Sequence, residues 1–213
     1  MNRRAMLKQL SVLGLLASAG PAVLAQENLR FRKMPNRIAP EEAGKIEVLE
    51  FFHYGCPHCR DFHPLIKQWL ESLPGDVAFR AVPVIWGNEQ LRGLARLHYT
   101  AERTGTLAKL QDGIFAGVQD ERLPLFTEEG VADWVGKYDV DAKAFMDTYK
   151  SFALQALVQR ADQVTRAYKV QGVPTMAVDG QYITSASVAG SHENALAVVD
   201  KLIEMVRTEG GRS

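Results

Sequence analysis

The sequence predicts an α/β fold in which a long helical segment interrupts a small β-sheet. Three observations lead to this prediction. Residues 45–53 form a near-continuous apolar run, residues 88–168 repeat apolar side chains at helical spacing, and Asp179-Gly180 separates two short strand-like runs. With 213 residues, 46% of them hydrophobic, the chain is long enough for one domain that carries a large insertion.

The first strand is predicted at residues 45–53, because nearly every position is apolar, as in a strand buried on both faces of a sheet. A helix is predicted to follow, and Pro74-Gly75 to end it. The apolar residues of this helix recur at helical spacing: Phe62, Leu65, Ile66, Trp69, Leu70 and Leu73. Residues 77–85 are predicted to form a second strand, and residues 26–44, which contain two prolines, an irregular lead-in.

The stretch 88–168 is predicted to be helical throughout. Its apolar stripes are Leu91, Leu94, Leu97 and Ala101; Leu107, Leu110, Ile114 and Phe115; Val131, Trp134 and Val135; and Leu154, Leu157, Val158, Ala161, Val164 and Tyr168. Strand character returns at residues 173–178, and Asp179-Gly180 predicts a hairpin with residues 181–184 as the returning strand. Residues 192–206 predict a final amphipathic helix.

The charge of the chain is balanced, because 25 Lys and Arg side chains face 25 Asp and Glu side chains. This balance gives no electrostatic reason to expect nucleic acid as a partner. No repeat and no low-complexity segment is visible in the sequence, so repeat architectures are not expected.

The N-terminus has the pattern of an export signal. Its parts are the basic residues Arg3, Arg4 and Lys8, the apolar stretch 10–24, and the small-residue cleavage site Val23-Leu24-Ala25. We therefore expect residues 1–25 to be removed on export, by either the Sec or the twin-arginine route. The alternative is an uncleaved anchor, for which the apolar stretch is short and interrupted.

The chain has two cysteines, Cys56 and Cys59. In exported proteins structural disulfides normally join distant segments. The one internal disulfide that this chain can form closes a loop of only about four residues, which adds little to stability. The pair is therefore expected to serve chemistry.

A Cys-x-x-Cys motif that follows a buried strand and opens a helix is typical of redox sites. The free N–H groups and the dipole at the helix N-terminus favour a thiolate at Cys56. Pro57 suits the first helical turn, and His58 adds a positive charge or a hydrogen-bond donor next to the sulfur. Cys56 is thus the expected nucleophile, and Cys59, more shielded, the cysteine that resolves the mixed disulfide.

Two other interpretations of the motif exist. A c-type haem site needs His directly after the second cysteine, where this chain has Arg60. A zinc site is conceivable because Cys59 and His63 lie on one helix face with His53 nearby. Only one Cys-x-x-Cys exists, so no metal is expected.

Two segments resemble the DsbA family of periplasmic disulfide oxidants, which have a thioredoxin-like fold. One is Leu49-Glu50-Phe51-Phe52-His53-Tyr54-Gly55-Cys56-Pro57-His58-Cys59, and the other is Val170-Gln171-Gly172-Val173-Pro174-Thr175-Met176, with Asp179-Gly180 behind it. The match in order and spacing covers residues 45–206. The resemblance implies a thioredoxin-like domain over residues 26–213, with a helical insertion at about residues 88–168.

The resemblance also assigns roles outside the cysteine motif. It implies that Val173-Pro174 is a cis-proline loop facing the active site, and that the Val173 backbone pairs with substrate. A trans proline at the start of a strand is the alternative. Glu50 is implied to be a proton acceptor for the buried cysteine, and the alternative is a structural ion pair with a lysine.

The activity implied by the resemblance is oxidation of thiols in exported proteins, in the periplasm and without a bound cofactor. A membrane quinone-linked partner of the DsbB type is expected to reoxidise the chain. A disulfide isomerase or reductase is one alternative, although residues 26–44 leave little room for a dimerisation region, so a monomer is expected. A binding module that holds unfolded chains without turnover is the other alternative.

Overall fold

The computed structural model describes residues 30–210, and the predicted export signal lies outside them. The described chain contains five strands and eight helices in this order: β1 (Arg32–Lys33), β2 (Ile46–Phe52), α1 (Pro57–Leu70), β3 (Val77–Pro83), α2 (Glu89–Arg103), α3 (Leu107–Gln119), α4 (Glu128–Val135), α5 (Ala142–Lys150), α6 (Phe152–Ala167), β4 (Thr175–Val178), β5 (Tyr182–Thr184), α7 (Ala186–Ala189) and α8 (His192–Glu209). Helices α2 to α6 thus lie between β3 and β4, in the stretch that the sequence predicts to be helical. No helix within residues 30–210 is both long enough and apolar enough to span a membrane.

The five strands form one sheet in the order β1-β5-β4-β2-β3. Strand β2 lies inside the sheet, parallel to β3 and antiparallel to β4. All seven of its residues are buried, which explains the almost unbroken apolar run in the sequence. Since successive side chains of a strand point to opposite faces, Glu50 shares a face with Val48, while Leu49 and Phe51 lie on the other.

Helices cover both faces of the sheet. Leu49 and Phe51 pack against buried residues of α2 and α6, and Val48 packs against buried residues of α1 and α8. A further cluster joins the insertion to the end of β2. It contains Phe52, Tyr54, Cys56, Cys59, Leu97, Leu110, Ile114, Phe115, Trp134 and Phe145. Both cysteines therefore lie at the boundary between the sheet and the helical insertion.

Two short elements, β1 and α7, were not predicted from the sequence. The prediction that residues 26–44 are irregular is wrong at β1, whose exposed residues pair with β5 through the backbone and carry no apolar pattern. Helix α5 lies within the stretch predicted to be helical, but it buries only Phe145 and Tyr149 and so shows no long apolar stripe of its own. Helix α7 spans four residues, about one turn, which is too short for periodicity to indicate.

Several boundaries also differ from the prediction. Helix α1 ends at Leu70, before Pro74-Gly75, and β3 ends at Pro83 rather than at residue 85. Strand β4 begins at Thr175, because the preceding residues form the loop that contains Val173 and Pro174. Helix α8 continues to Glu209, one turn beyond the predicted end.

Candidate active site

The polypeptide turns sharply between the end of β2 and the start of α1. The backbone N–H of Cys56 donates to the carbonyl oxygen of His53 across 3.0 Å, which closes the turn. Cys56 is the N-cap residue of α1, with extended backbone angles, and Pro57 occupies the first helical position as predicted. The carbonyl oxygen of Cys56 accepts hydrogen bonds from the N–H groups of Cys59 and Arg60, which begin the helix.

The two cysteines have different environments. Both are free thiols in this structure; Cys56 is 8% exposed, whereas Cys59 is completely buried. A hydrogen bond from the Cys59 thiol, the backbone N–H groups of Cys59 and His58, and the charge of His58 lower the pKa of Cys56 to about 6, against the opposing effect of burial. Burial strongly raises the pKa of Cys59. At neutral pH the sulfur of Cys56 is therefore mainly a thiolate and the sulfur of Cys59 a thiol.

His58 is exposed on the first turn of α1. Its charge is the smallest of the effects that lower the pKa of Cys56. The imidazole lies with its ring centre 6.4 Å from that of His192, the first residue of α8. The backbone of the helix start thus contributes more to thiolate stability than the His58 side chain does.

Glu50 lies in the middle of β2, between Ala81 of β3 and Met176 of β4. Its side chain is buried, and desolvation, with the nearby charge of Cys56, raises the pKa of its carboxyl group to about 8. Within residues 30–210 no Lys or Arg nitrogen lies within ion-pair distance of this carboxylate, so the alternative of a structural ion pair is not formed there. The carboxyl group is therefore mainly protonated at neutral pH.

A cavity of about 290 Å³ lies beside Glu50. His63, Lys67 and Glu102 also line it. Glu50 is close enough to Cys59 for its charge to raise the pKa of that thiol. The carboxyl group is thus placed between the buried cysteine and a space that reaches solvent.

The loop before β4 brings Val173 to Cys56. The peptide bond between Val173 and Pro174 is cis, as the resemblance implies. In its protonated form, the thiol of Cys56 donates a hydrogen bond to the carbonyl oxygen of Val173 across 3.5 Å. Pro174 is buried, whereas Val173 is half-buried, so the structure brings together all the candidate residues that the sequence analysis names around the cysteine pair.

Sequence reasoning missed two side chains, those of Gln119 and His98, that form hydrogen bonds with the segment leading into Cys56. The side-chain amide of Gln119, the last residue of α3, donates to the carbonyl oxygens of Tyr54 and Cys56. The hydroxyl of Tyr54 is hydrogen-bonded to Nδ1 of buried His98 across 2.9 Å, and burial lowers the pKa of His98 to about 3, so this imidazole is neutral. Both partners belong to the helical insertion, and no local pattern in the sequence signals their contacts.

The histidines of the alternative zinc site have other partners. Nε2 of His63 lies 3.1 Å from a carboxylate oxygen of Asp112, and the ring of His53 lies 6.0 Å from that of Trp86. Across residues 30–210, no three His, Cys, Asp or Glu side chains are grouped so that they could hold a metal ion. The geometry therefore does not assemble the zinc site that Cys59, His63 and His53 would form.

A groove of about 680 Å³ begins next to the cysteines and runs along the loop of Val173 and Pro174 towards β5 and α7. Val173, Pro174 and His58 line its end near the active site, and Ile183 and Val188 line it farther away. An extended polypeptide segment could therefore lie against the loop with one of its residues next to Cys56.

Comparisons with known proteins agree with this geometry. Residues 47–197 match the family described as the DSBA-like thioredoxin domain. The thiol:disulfide interchange protein DsbA of Pseudomonas aeruginosa strain PAO1 is 36% identical over 207 residues, which cover 95% of this chain and 94% of that protein. The DsbA of Azotobacter vinelandii is 37% identical over 183 residues, which cover 84% of this chain and 83% of that protein.

Solved structures show the same relationship. The crystal structure of Pseudomonas aeruginosa DsbA superposes with a TM-score of 0.82 at 35% identity, over 85% of this chain and 94% of that one. The oxidoreductase NmDsbA1 from N. meningitidis superposes with a TM-score of 0.77 at 29% identity, over 85% of this chain and 93% of that one. These matches confirm the predicted thioredoxin-like fold with a helical insertion and the predicted resemblance. The chain therefore belongs to the DsbA family of thioredoxin-fold thiol:disulfide oxidoreductases.

Proposed function

We propose that the disulfide between Cys56 and Cys59 is the group that this chain donates to thiols of exported proteins. The observation that carries the proposal is the difference between the two sulfurs. Cys56 is 8% exposed and its pKa is lowered to about 6, while Cys59 is completely buried and its pKa is raised. A stabilised thiolate favours the reduced form of the pair, and this makes the disulfide oxidising.

The reaction consists of two exchanges. A substrate thiolate attacks Sγ of Cys56 in the oxidised chain; the bond between the two cysteine sulfurs breaks, and Cys59 leaves with the electron pair. A second substrate thiolate then attacks the substrate sulfur of the mixed disulfide, and Cys56 leaves as a thiolate. The substrate loses two electrons and gains a disulfide, and the chain is reduced. The low pKa of Cys56 speeds the second step because a more acidic thiol is a better leaving group.

Glu50 is the proposed proton donor and acceptor for Cys59. The buried Cys59 sulfur does not remain an anion after it leaves, because burial strongly raises its pKa. A neighbouring carboxyl group with a pKa of about 8 carries a proton at neutral pH and can deliver it. When the pair is reoxidised, the carboxylate takes the proton back and exchanges it with solvent through the cavity beside it.

The loop at Val173 is the proposed substrate contact. An extended peptide next to Cys56 can pair with the Val173 backbone in the manner of an added strand. This pairing positions the sulfur of the substrate cysteine next to Cys56 and does not depend on the other side chains of the peptide. Valine before the proline is similar to the oxidases of the family, whereas the related isomerases usually carry threonine there.

The location and the partners of this chain are proposed from its N-terminal pattern and from its family. The pattern at residues 1–25 supports export to the periplasm by the Sec or twin-arginine route. A membrane quinone-linked protein of the DsbB type is the proposed acceptor of the electrons that the chain gains. We expect the chain to act as a monomer without a bound cofactor, which light scattering and mass spectrometry of the purified protein test.

Oxidation of a reduced protein tests the proposal. The oxidised chain is incubated with a reduced, unfolded substrate of known disulfide pattern, and lost thiols and regained substrate activity are measured. The Cys56→Ala variant serves as the matched control. Thiol loss with wild type alone supports the oxidase, reshuffling without net thiol loss indicates an isomerase, and binding without either indicates a holdase. An equilibrium with glutathione then gives the reduction potential of the pair.

A further inference from the structure

The groove beside Cys56 carries charge of one sign, although the whole chain is neutral, with 25 basic and 25 acidic residues. Arg32 and Lys169 line it, together with the imidazoles of His58 and His192. No Asp or Glu side chain of the described residues lines the groove. A peptide lying in the groove therefore meets positive charge without a compensating acid.

The basic side chains come from four separate segments. Arg32 belongs to β1, His58 to α1 and His192 to α8, while Lys169 lies between α6 and the loop of Val173. The groove is thus a property of the folded chain, and no single stretch of sequence displays it.

Arg32 and Lys169 are both exposed, and neither forms an ion pair within residues 30–210. Other arginines near the active site differ in this respect. Arg60, for example, forms two hydrogen bonds with the carboxylate of Asp120, at 2.6 and 2.7 Å. The two cations of the groove therefore remain available to a bound molecule.

The acidic residue that follows His192, Glu193, is not among the residues that line the groove. The carboxylate of Glu193 is hydrogen-bonded to Ser191 and to its own backbone N–H at the start of α8. This anion lies at the N-terminus of that helix, where the helix dipole stabilises it. Among the residues that line the groove, the side chains with a permanent charge are thus those of Arg32 and Lys169.

The groove also has an apolar floor. Ile183, Ala186 and Val188 line it, and the side chain of Val188 is 50% exposed, which is high for a large hydrophobic residue. An extended peptide would therefore be contacted by apolar side chains on one side and by cations at the rim. Backbone pairing at Val173 does not depend on the side chains of the peptide, whereas these two features can distinguish one peptide from another.

We propose that this groove selects extended cysteine-containing segments that carry Asp or Glu within a few residues of the reacting cysteine. The inference rests on the proposed function, because it concerns which substrates reach Cys56. Complementary charge near the reacting sulfur raises the rate of encounter and slows the dissociation of the correct partner. A segment with Lys or Arg at the same positions is repelled by Arg32 and Lys169.

Matched peptides test the proposal. Dithiol peptides that differ only in having Glu, Gln or Lys on both sides of the first cysteine are oxidised by the full mature chain, and second-order rate constants are measured. Each rate is divided by that of the same peptide with dipyridyl disulfide, a neutral oxidant, because flanking charge alters the peptide thiol itself. We expect the Glu peptide to react about three- to tenfold faster than the Lys peptide at low salt. In about 1 M salt, where the Debye length is about 3 Å, the ratio should fall towards one.

Charge-reversed variants identify the groove as the cause. Arg32→Glu and Lys169→Glu, made separately, should each reduce the ratio, and the double variant should invert it. Lys137→Glu, an exposed lysine in the insertion, is the matched control and should leave the ratio unchanged. Equal normalised rates for the Glu and Lys peptides, with normal oxidation of the Gln peptide, would overturn the inference alone. Failure to oxidise even the Gln peptide would overturn the proposed function as well.

Discussion

The side-chain amide of Gln119 donates a hydrogen bond to the backbone carbonyl oxygen of Cys56 across 3.1 Å. The same amide nitrogen lies 2.7 Å from the carbonyl oxygen of Tyr54, so it joins the two residues on either side of Gly55. The last residue of α3 therefore holds the backbone at the point where it turns into the active-site helix. The helical insertion thus acts on the cysteines through a specific contact as well as by packing.

Replacing Gln119 with Leu should weaken this turn. Loss of the two hydrogen bonds should reduce the free energy of unfolding by about 1–2 kcal/mol. A looser helix start should also raise the pKa of Cys56 and slow thiol exchange severalfold. Ultraviolet absorbance of the thiolate as a function of pH measures that pKa. Gln155→Leu, at an exposed position of α6, is the control, and an equal pKa in both variants would assign Gln119 a purely structural role.

Replacing Cys59 with Ala should trap the intermediate. Cys56 remains able to exchange with a substrate disulfide, but no buried thiol is left to release the substrate. Covalent adducts with exported proteins should then appear on non-reducing gels and disappear on reduction. Cys56→Ala should give none. If both variants gave the same pattern, the assignment of Cys56 as the attacking sulfur would be wrong.

Glu50→Gln should increase the stability of the chain at pH 7 but slow its thiol exchange. Because the pKa of Glu50 is raised from 4.5 to about 8, this carboxyl group takes up a proton when the chain folds at pH 7. The raised pKa therefore lowers the free energy of unfolding at pH 7, and this destabilisation is absent below the unfolded pKa. The variant should therefore be more stable than wild type by about 1–3 kcal/mol at pH 7, after allowance for an unpaired amide, and the advantage should vanish near pH 4. Exchange by the same variant should be slower. A variant that is both less stable and equally fast would remove Glu50 from the proton-transfer role.

His58→Ala should raise the pKa of Cys56 by less than about one unit. The reason is that the charge of His58 is the smallest of the effects that lower this pKa, while the hydrogen bonds from Cys59 and from backbone N–H groups remain. The reduction potential should fall correspondingly, by about 30 mV or less. A return of the pKa to its ordinary value of 9.0 would show that His58, and not the helix start, controls the thiolate.

The stability of the reduced form relative to the oxidised form should rise with pH. The pKa of Cys56 is lowered from 9.0 to about 6, so its stabilising effect is complete above the unfolded value and is lost as pH falls through 6. Between pH 6 and 8 the difference should shift towards the reduced form by about 2 kcal/mol. The crosslink of the oxidised form contributes a pH-independent amount of about 2 kcal/mol. Guanidinium unfolding of both forms at the two pH values checks this, and an unchanged difference would show that Cys56 is not a stabilised thiolate.

The sequence predicts the parts of this site that depend on local pattern. The apolar run of β2, the start of α1 at Pro57 and the hairpin at Asp179-Gly180 each have a signal within a few residues. Val173 and Pro174 were identified through a family resemblance, since no local signal distinguishes a cis proline from a trans one.

The remaining parts depend on contacts between distant residues. The side chain of Gln119 contacts Cys56, which lies 63 positions earlier in the sequence. No pattern within α3 distinguishes Gln119 from the other residues of that helix. Strand β1 pairs with β5 through backbone groups that every residue possesses, so Arg32 and Lys33 show no strand pattern. The same limit applies to the groove, because its basic lining forms only when four segments are folded together.

The convergence of separate segments on Cys56 has a consequence for engineering. Grafting Cys-Pro-His-Cys onto the first turn of an unrelated helix would transfer the dipole and the local N–H groups, but neither the carbonyl of Val173, the carboxyl of Glu50 nor the amide of Gln119. Such a graft should keep the local effects that lower the pKa of the first cysteine, but it should exchange more slowly without a buried proton donor and have no preference among peptides. Conversely, replacing exposed groove residues such as Arg32 and Lys169 within this scaffold should change which peptides are oxidised fastest, while the reduction potential of the cysteine pair stays the same.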